Sequence, residues 1–178
     1  MRSDFRIIKL SENYQLKPFD CGDLDLNNFL VEDASYYQKR LLSVTYLMES
    51  DRYTVAYFSV SNDKISIPES DKATWRKIKK RFPYAKHRND YPAVKIGRLA
   101  VNKEFQHEHL GSDILWFIKK MFITNNRTGC GFITVDALQA AVPFYMRNGF
   151  EFLRKEDLEN HDDKTVLLFY DLYSLICC

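Results

Sequence analysis

Apolar positions along this chain recur with two periods. Residues 5–10, 42–48, 53–60, 94–101 and 132–135 are rich in β-branched and aromatic side chains and predict strands. Residues 42–48 and 53–60 are joined by Glu49-Ser50-Asp51-Arg52, a hairpin signal, and residues 150–153 and 165–172 predict two closing strands that pair. A different period holds Leu26, Phe29, Leu30, Ala34, Tyr37 and Leu41 on one face of a helix, with Asp23 or Asp25 as its N-cap. A second helical stripe is formed by Leu110, Ile114, Phe117, Ile118, Met121 and Phe122, and Gly129-Cys130-Gly131 ends it. Residues 139–147 predict a short helix stopped by Asn148-Gly149. Within 61–90, Trp75, Ile78 and Phe82 line one face of a further short helix. With no repeat and no linker, this order predicts an α/β (α+β) fold. It has one mixed, mostly antiparallel sheet flanked by helices, in a single domain over residues 1–178.

Composition alters this picture little. At 178 residues, with 46% hydrophobic and 28% charged, the chain is long enough for one domain with a real core. No run reaches the roughly 18 apolar residues of a membrane span, and the first residues carry no secretory signal. Cys21, Cys130, Cys177 and Cys178 lack metal-ligand spacing. The expectation is a cytoplasmic protein with reduced thiols and no membrane partner. The net charge of +2 decides nothing about nucleic acid, but its distribution is uneven. Lys72, Arg76, Lys77, Lys79, Lys80, Arg81, Lys86 and Arg88 lie together with no acidic residue among them, a basic segment suited to phosphates.

The candidate chemistry lies in two runs. Residues 94–115 predict a buried strand, a short polar loop and the start of an amphipathic helix. A loop that ends at a helix N-terminus offers unpaired backbone N–H groups and the positive end of a dipole, an anion site suited to a pyrophosphate. Downstream stands Phe144-Tyr145-Met146-Arg147-Asn148-Gly149-Phe150. Together the two runs resemble the acetyl-CoA site of the GNAT acetyltransferase superfamily. The family's Arg/Gln-x-x-Gly-x-Gly/Ala pattern falls on Gln106, on His109 where the first glycine is expected, and on Gly111, followed by Ser112. The resemblance implies pantetheine contacts from the backbone of Leu99, Ala100 and Val101. It also implies pyrophosphate contacts along Gln106, His107, Glu108, His109, Leu110, Gly111 and Ser112. Tyr145 stands where the family places the acid that protonates the departing thiolate. The alternatives are a plain strand–loop–helix unit and a core aromatic at a helix end. His109 in place of glycine costs about 1–2 kcal/mol if the residue is left-handed and little if its φ is negative. If protonated, it adds attraction to phosphate. His107 and His109 have no third metal ligand at recognisable spacing besides Glu108, so no metal is expected.

The likeness extends further. Phe19-Asp20-Cys21-Gly22, Leu26-Asn27-Asn28-Phe29-Leu30, Ile96-Gly97-Arg98-Leu99-Ala100-Val101, Val135-Asp136-Ala137-Leu138 and Phe144-Tyr145 follow one another in an order similar to the acetyltransferase toxins of type II toxin–antitoxin modules. That resemblance implies acetyl transfer to the α-amine of an aminoacyl-tRNA by direct attack on acetyl-CoA. It also implies an antitoxin partner with a ribbon–helix–helix domain. An α-amine, with pKa about 7.7–8.0, is already partly neutral at pH 7, whereas a lysine at about 10.4 must first lose its proton. Glu69, Asp90 and Glu104 are the carboxylates considered as base. A small-molecule or protein amine is the second reading, with Tyr36, Tyr37 and Tyr91 as pocket or core aromatics, and a non-catalytic CoA-binding module the third. A homodimer is the assembly carried forward.

Overall fold

The computed structural model describes residues 5–66, 76, 78, 90–124, 128–153 and 164–176. Seven strands run β1 (Arg6–Lys9), β2 (Val44–Glu49), β3 (Thr54–Ser66), β4 (Asp90–Val101), β5 (Phe132–Leu138), β6 (Glu151–Phe152) and β7 (Thr165–Asp171). They form one sheet in the order β1-β2-β3-β4-β5-β7-β6. The hairpin β2–β3 pairs antiparallel from Val44↔Val60 to Glu49↔Thr54, with a bulge between Met48 and Glu49. The closing strands also pair antiparallel, Glu151 with Phe169 and Phe152 with Leu168. Among the described pairings only β4 and β5 are parallel, through Ala93, Val94 and Lys95 against Phe132, Ile133 and Thr134. Both β3 and β4 are longer than their apolar cores predict. Past Val60 and before Val94 the burial alternates, so polar residues there occupy the solvent side of real strands.

The chain forms two compact units, Met1–Ser61 with Ile96–Lys120 and Asn62–Lys95 with Met121–Cys178. In the first, Leu10, Phe29, Leu30, Ala34, Leu47, Tyr57 and Ala100 form the core. The helix read from the first stripe is three pieces: α1 (Leu24–Asn28), a π turn (Phe29–Asp33) and α2 (Ala34–Lys39). The Ala34 N–H donates to the Phe29 carbonyl, five residues back. Inward positions here recur every four residues, at Leu26, Leu30 and Ala34. In a straight α-helix that spacing drifts by about 40° per step, and the wider turn takes up the drift. Of the two candidate N-caps, Asp23 serves: its side chain accepts from the Leu26 N–H at 3.1 Å. Leu41 does not join the inward face. The helix has ended, Leu41 lies at φ 59°, and it is 91% exposed.

In the second unit Ile65, Ile78, Tyr91, Ala93, Phe132, Leu153 and Phe169 pack together. Two further described helices follow, α3 (Leu110–Thr124), in the first unit over most of its length, and α4 (Val142–Arg147), reached through a 3-10 turn at Gln139–Ala141, and the described Arg76 and Ile78 are also helical. Of the basic segment 72–88 the structure describes Arg76, which is exposed, and Ile78, which is buried. The rest of that segment, with Trp75, Phe82, Glu69, Arg154, Cys177 and Cys178, lies outside the described residues. No described helix is long and apolar enough to cross a membrane.

Candidate active site

The anion loop begins where β4 ends. Ala100 is 5% exposed and its side chain belongs to the core, so by strand alternation Leu99 and Val101 face the other way. The ladder to β5 stops at Lys95, and among the described residues none of Leu99, Ala100 and Val101 pairs with that strand. Asn102 then fixes the exit. It is 3% exposed; its N–H donates to the Val55 carbonyl at 2.9 Å and its Nδ2 to the Thr54 carbonyl at 3.2 Å. Its Oδ1 accepts from the Glu104 N–H at 3.1 Å, capping a 3-10 turn at Lys103–Phe105. The sequence carried a signal for this residue, an asparagine directly after a strand and before a polar turn.

His107 and His109 both have positive φ, 67° and 61°. The conformation that the glycine pattern serves is therefore kept here by histidine, at a cost of about 1–2 kcal/mol per position. Histidine is among the side chains that enter this region most often. The His109 carbonyl accepts from the N–H groups of Ser112 at 2.9 Å and Asp113 at 3.2 Å, so α3 starts from it. No described carbonyl accepts from the N–H groups of His109, Leu110 or Gly111. A left-handed residue followed by helical ones turns successive N–H groups into one concavity, a nest for an anion at the positive end of the helix. His107, Glu108 and His109 are exposed and Gly111 and Ser112 half-buried, so an anion reaches those donors. Gln106 is also tied back into the protein. Its N–H bonds the Lys103 carbonyl at 3.4 Å, and its side-chain amide bonds two backbone carbonyls, Val101 and Cys21, at 3.0 Å each.

Tyr145 sits in the second unit at the end of α4. Asn148 is the C-cap and Gly149 follows at φ 82°. The Phe150 N–H reaches the Tyr145 carbonyl at 3.1 Å and the Gly149 N–H reaches the Met146 carbonyl at 3.0 Å. This is the Schellman pattern, completed by the apolar contact it favours: the Tyr145 and Phe150 rings meet edge-on, centroids 5.3 Å apart. Phe144 closes on Tyr145 from another side at 5.1 Å. Tyr-x-x-x-Gly-Phe is thus the local device that holds this ring still. The residue is 7% exposed, and burial pushes its phenol up to about 12. A Gly149→Ala variant tests the clamp. Its Cβ would stand 3.1 Å from Tyr170 Cε2 on a backbone that costs a further 1–2 kcal/mol or so for any L side chain. Thermal denaturation is expected to shift down by about 3–8 °C, and an unchanged midpoint would contradict this geometry.

Other candidates find ordinary employment. Asp90 accepts from Ser66 at 2.6 Å and pairs with Lys64 at 2.9 Å, and these contacts hold its carboxyl below the usual range, which unfits it as a base. Glu104 is exposed, Tyr91 is a core residue, and Tyr36 and Tyr37 are 53% and 38% exposed. Lys119 is 6% exposed, and burial pushes its ammonium down to about 8, so it is no surface cation for phosphate. Lys120 lies over the Trp116 ring at 4.9 Å. Among the described residues no three of His, Cys, Asp and Glu are placed to hold a metal.

A family model for the acetyltransferase (GNAT) domain matches residues 79–163. Among solved structures, a tyrosine-to-phenylalanine mutant of KacT is 24% identical over 98% of this chain and 99% of its own, with a TM-score of 0.76. A tyrosine-to-phenylalanine mutant of the AtaT toxin, bound to the C-terminus of the antitoxin AtaR and acetyl-CoA, is 19% identical over 98% of both chains at 0.72. AtaT complexed with acetyl-methionyl-tRNAfMet is 22% identical over 98% of both chains at 0.74. At these identities the likeness establishes a shared fold along nearly the whole chain.

Proposed function

We propose that this chain, whose residues 79–163 match a family model for the acetyltransferase (GNAT) domain, moves the acetyl group of acetyl-CoA to the α-amine of an aminoacyl-tRNA. The observation that carries the acetyl-CoA part is the nest at 109–111, three N–H groups without a described carbonyl at the start of a 15-residue helix. His109, Leu110 and Gly111 hold the pyrophosphate through backbone, with Ser112 beside them and the exposed side chains of His107 and Glu108 flanking the site. Leu99, Ala100 and Val101 offer backbone to the pantetheine arm, and an N–H among them polarises the thioester carbonyl. The amine nitrogen attacks that carbonyl carbon, a C–N bond forms and the C–S bond breaks. Tyr145 donates its proton to the leaving sulfur, and the proton released by the amine restores the phenol.

The choice of acceptor rests on the likeness to AtaT in its complex with acetyl-methionyl-tRNAfMet. An antitoxin partner follows from the same kinship, since AtaT binds the C-terminus of AtaR, and such substrates belong to the cytoplasm. One observation favours a small-molecule or protein amine instead: α3 offers little exposed charge, because Lys119 is buried. Transfer from radiolabelled acetyl-CoA to bulk charged tRNA, with uncharged tRNA as control, separates the two. Label on charged tRNA alone is the expected result. No label with acetyl-CoA binding intact would move the assignment to the other amines.

A further inference from the structure

The motif Phe19-Asp20-Cys21-Gly22 and the nearby Asn27 have no part in the chemistry above, yet their polar atoms are densely paired. Asp20 Oδ1 accepts from the Gly22 N–H at 2.8 Å and from Asn27 Nδ2 at 2.9 Å. Its Oδ2 accepts from Lys103 Nζ at 2.7 Å, and the Lys103 N–H donates to the Asp20 carbonyl at 2.8 Å. Lys103, the Gly22 N–H and Asn27 together hold the Asp20 carboxyl far below its ordinary range. Asn27 Oδ1 takes the Cys21 N–H at 3.0 Å and its thiol at 3.1 Å. The Cys21 carbonyl then receives Gln106 Nε2 at 3.0 Å, and the same amide reaches the Val101 carbonyl at 3.0 Å. Residues 20–22, the end of β4 and the last residue before the two left-handed histidines are thereby tied at one point.

His107 and His109 are exposed, so their backbone is set from the two ends of the loop. One end is α3 and the other is Gln106. We infer that the turn at 20–22 is a positioning element for the anion loop, acting through the Gln106 amide. It fixes where the loop leaves the sheet, so that the donors at 109–111 meet a diphosphate already in place. Preorganisation of this kind raises affinity without a new ligand contact. Asp20 is the positioning residue: its carboxylate bonds Gly22, Asn27 and Lys103, and so it acts on the loop through the Cys21 carbonyl on which Gln106 rests. The inference rests on the acetyl-CoA reading above.

Calorimetric titration with CoA, with acetyl-transfer kinetics alongside, tests it. Asp20→Ala removes three hydrogen bonds that reach the loop only through the Cys21 carbonyl, and it is expected to raise the Kd for CoA and the KM for acetyl-CoA about tenfold. Its kcat should stay close to the parent's, since Asp20 takes no part in the acyl transfer. Asp20→Asn keeps an acceptor for Gly22 and should recover part of the affinity. Gln106→Ala should weaken CoA to a similar degree, and the double variant should be no worse than the weaker single one, because both act on one contact. Equal CoA affinity in Asp20→Ala and the parent, or losses that add fully in the double variant, would overturn the positioning role. A parent that binds no CoA would overturn the acetyl-CoA reading itself, a separate outcome.

Discussion

Phenylalanine at position 145 is expected to lower turnover at least tenfold while leaving acetyl-CoA affinity and stability nearly unchanged. The ring contacts with Phe144 and Phe150 survive the change, and so do the backbone bonds of the helix end. Only the hydroxyl is lost. A hydrogen bond to a developing charge is worth about 1.5–3 kcal/mol, roughly a factor of ten to 150 in rate. Complete proton transfer would be uphill: a phenol held near 12 against a thiol of about 8.5 costs some 5 kcal/mol. The phenol therefore gives up its proton only as the amine's proton replaces it, so that no phenolate accumulates while the bond to sulfur breaks. That sets the pH behaviour. A raised pKa keeps the donor form throughout the working range, so turnover should climb as the amine loses its proton and show no falling limb from Tyr145 below about pH 11. Steady-state rates from pH 6 to 10 with calorimetric CoA binding check both points. Turnover retained in Tyr145→Phe would remove the residue as the acid.

The sequence disclosed those parts of the site whose chemistry is local. Asn148-Gly149-Phe150 announces a helix stop, and the same residues clamp the Tyr145 ring, so the position of that ring was legible. The hairpin, the closing strands and the 110–124 helix were legible for the same reason, since each is set by periodicity within one element. Long-range pairing was not. Nothing in the period of Leu26, Leu30 and Ala34 separates a drifting α-helix from one corrected by a π turn. The bond from the Gln106 amide to the Cys21 carbonyl, 85 positions away, has no trace in the local sequence. The burial of Lys119 was not legible either, because burial of a single charge on an amphipathic helix is decided by the opposing layer. His109 illustrates a third case. The pattern asked for glycine, and the backbone angle it asked for is present at φ 61°, so the departure lies in the side chain and not in the shape.

That shape makes a second large effect predictable, with opposite signs for stability and binding. Ser112 is the third residue of α3, and its N–H is turned back to the His109 carbonyl at 2.9 Å. An acidic side chain at this position favours a helix by about 0.3–1 kcal/mol through the dipole. Ser112→Glu should therefore keep or slightly raise the melting temperature. The same carboxylate stands beside the N–H groups of His109, Leu110 and Gly111, where the diphosphate is to bind. Like charges about 4 Å apart repel by roughly 1 kcal/mol in water and 4 kcal/mol at a protein surface, per pair of unit charges. CoA affinity is expected to fall at least tenfold, and the loss should shrink as salt is raised from 50 to 500 mM or so, because partly exposed charges are screened. Ser112→Gln has the same length without the charge and should stay near the parent in both measurements. A loss of affinity in the glutamine variant would point to crowding rather than charge. An unchanged affinity in Ser112→Glu, with the melting temperature raised, would put the diphosphate somewhere other than the start of this helix. A helix terminus cannot welcome an anion and ignore a second one beside it.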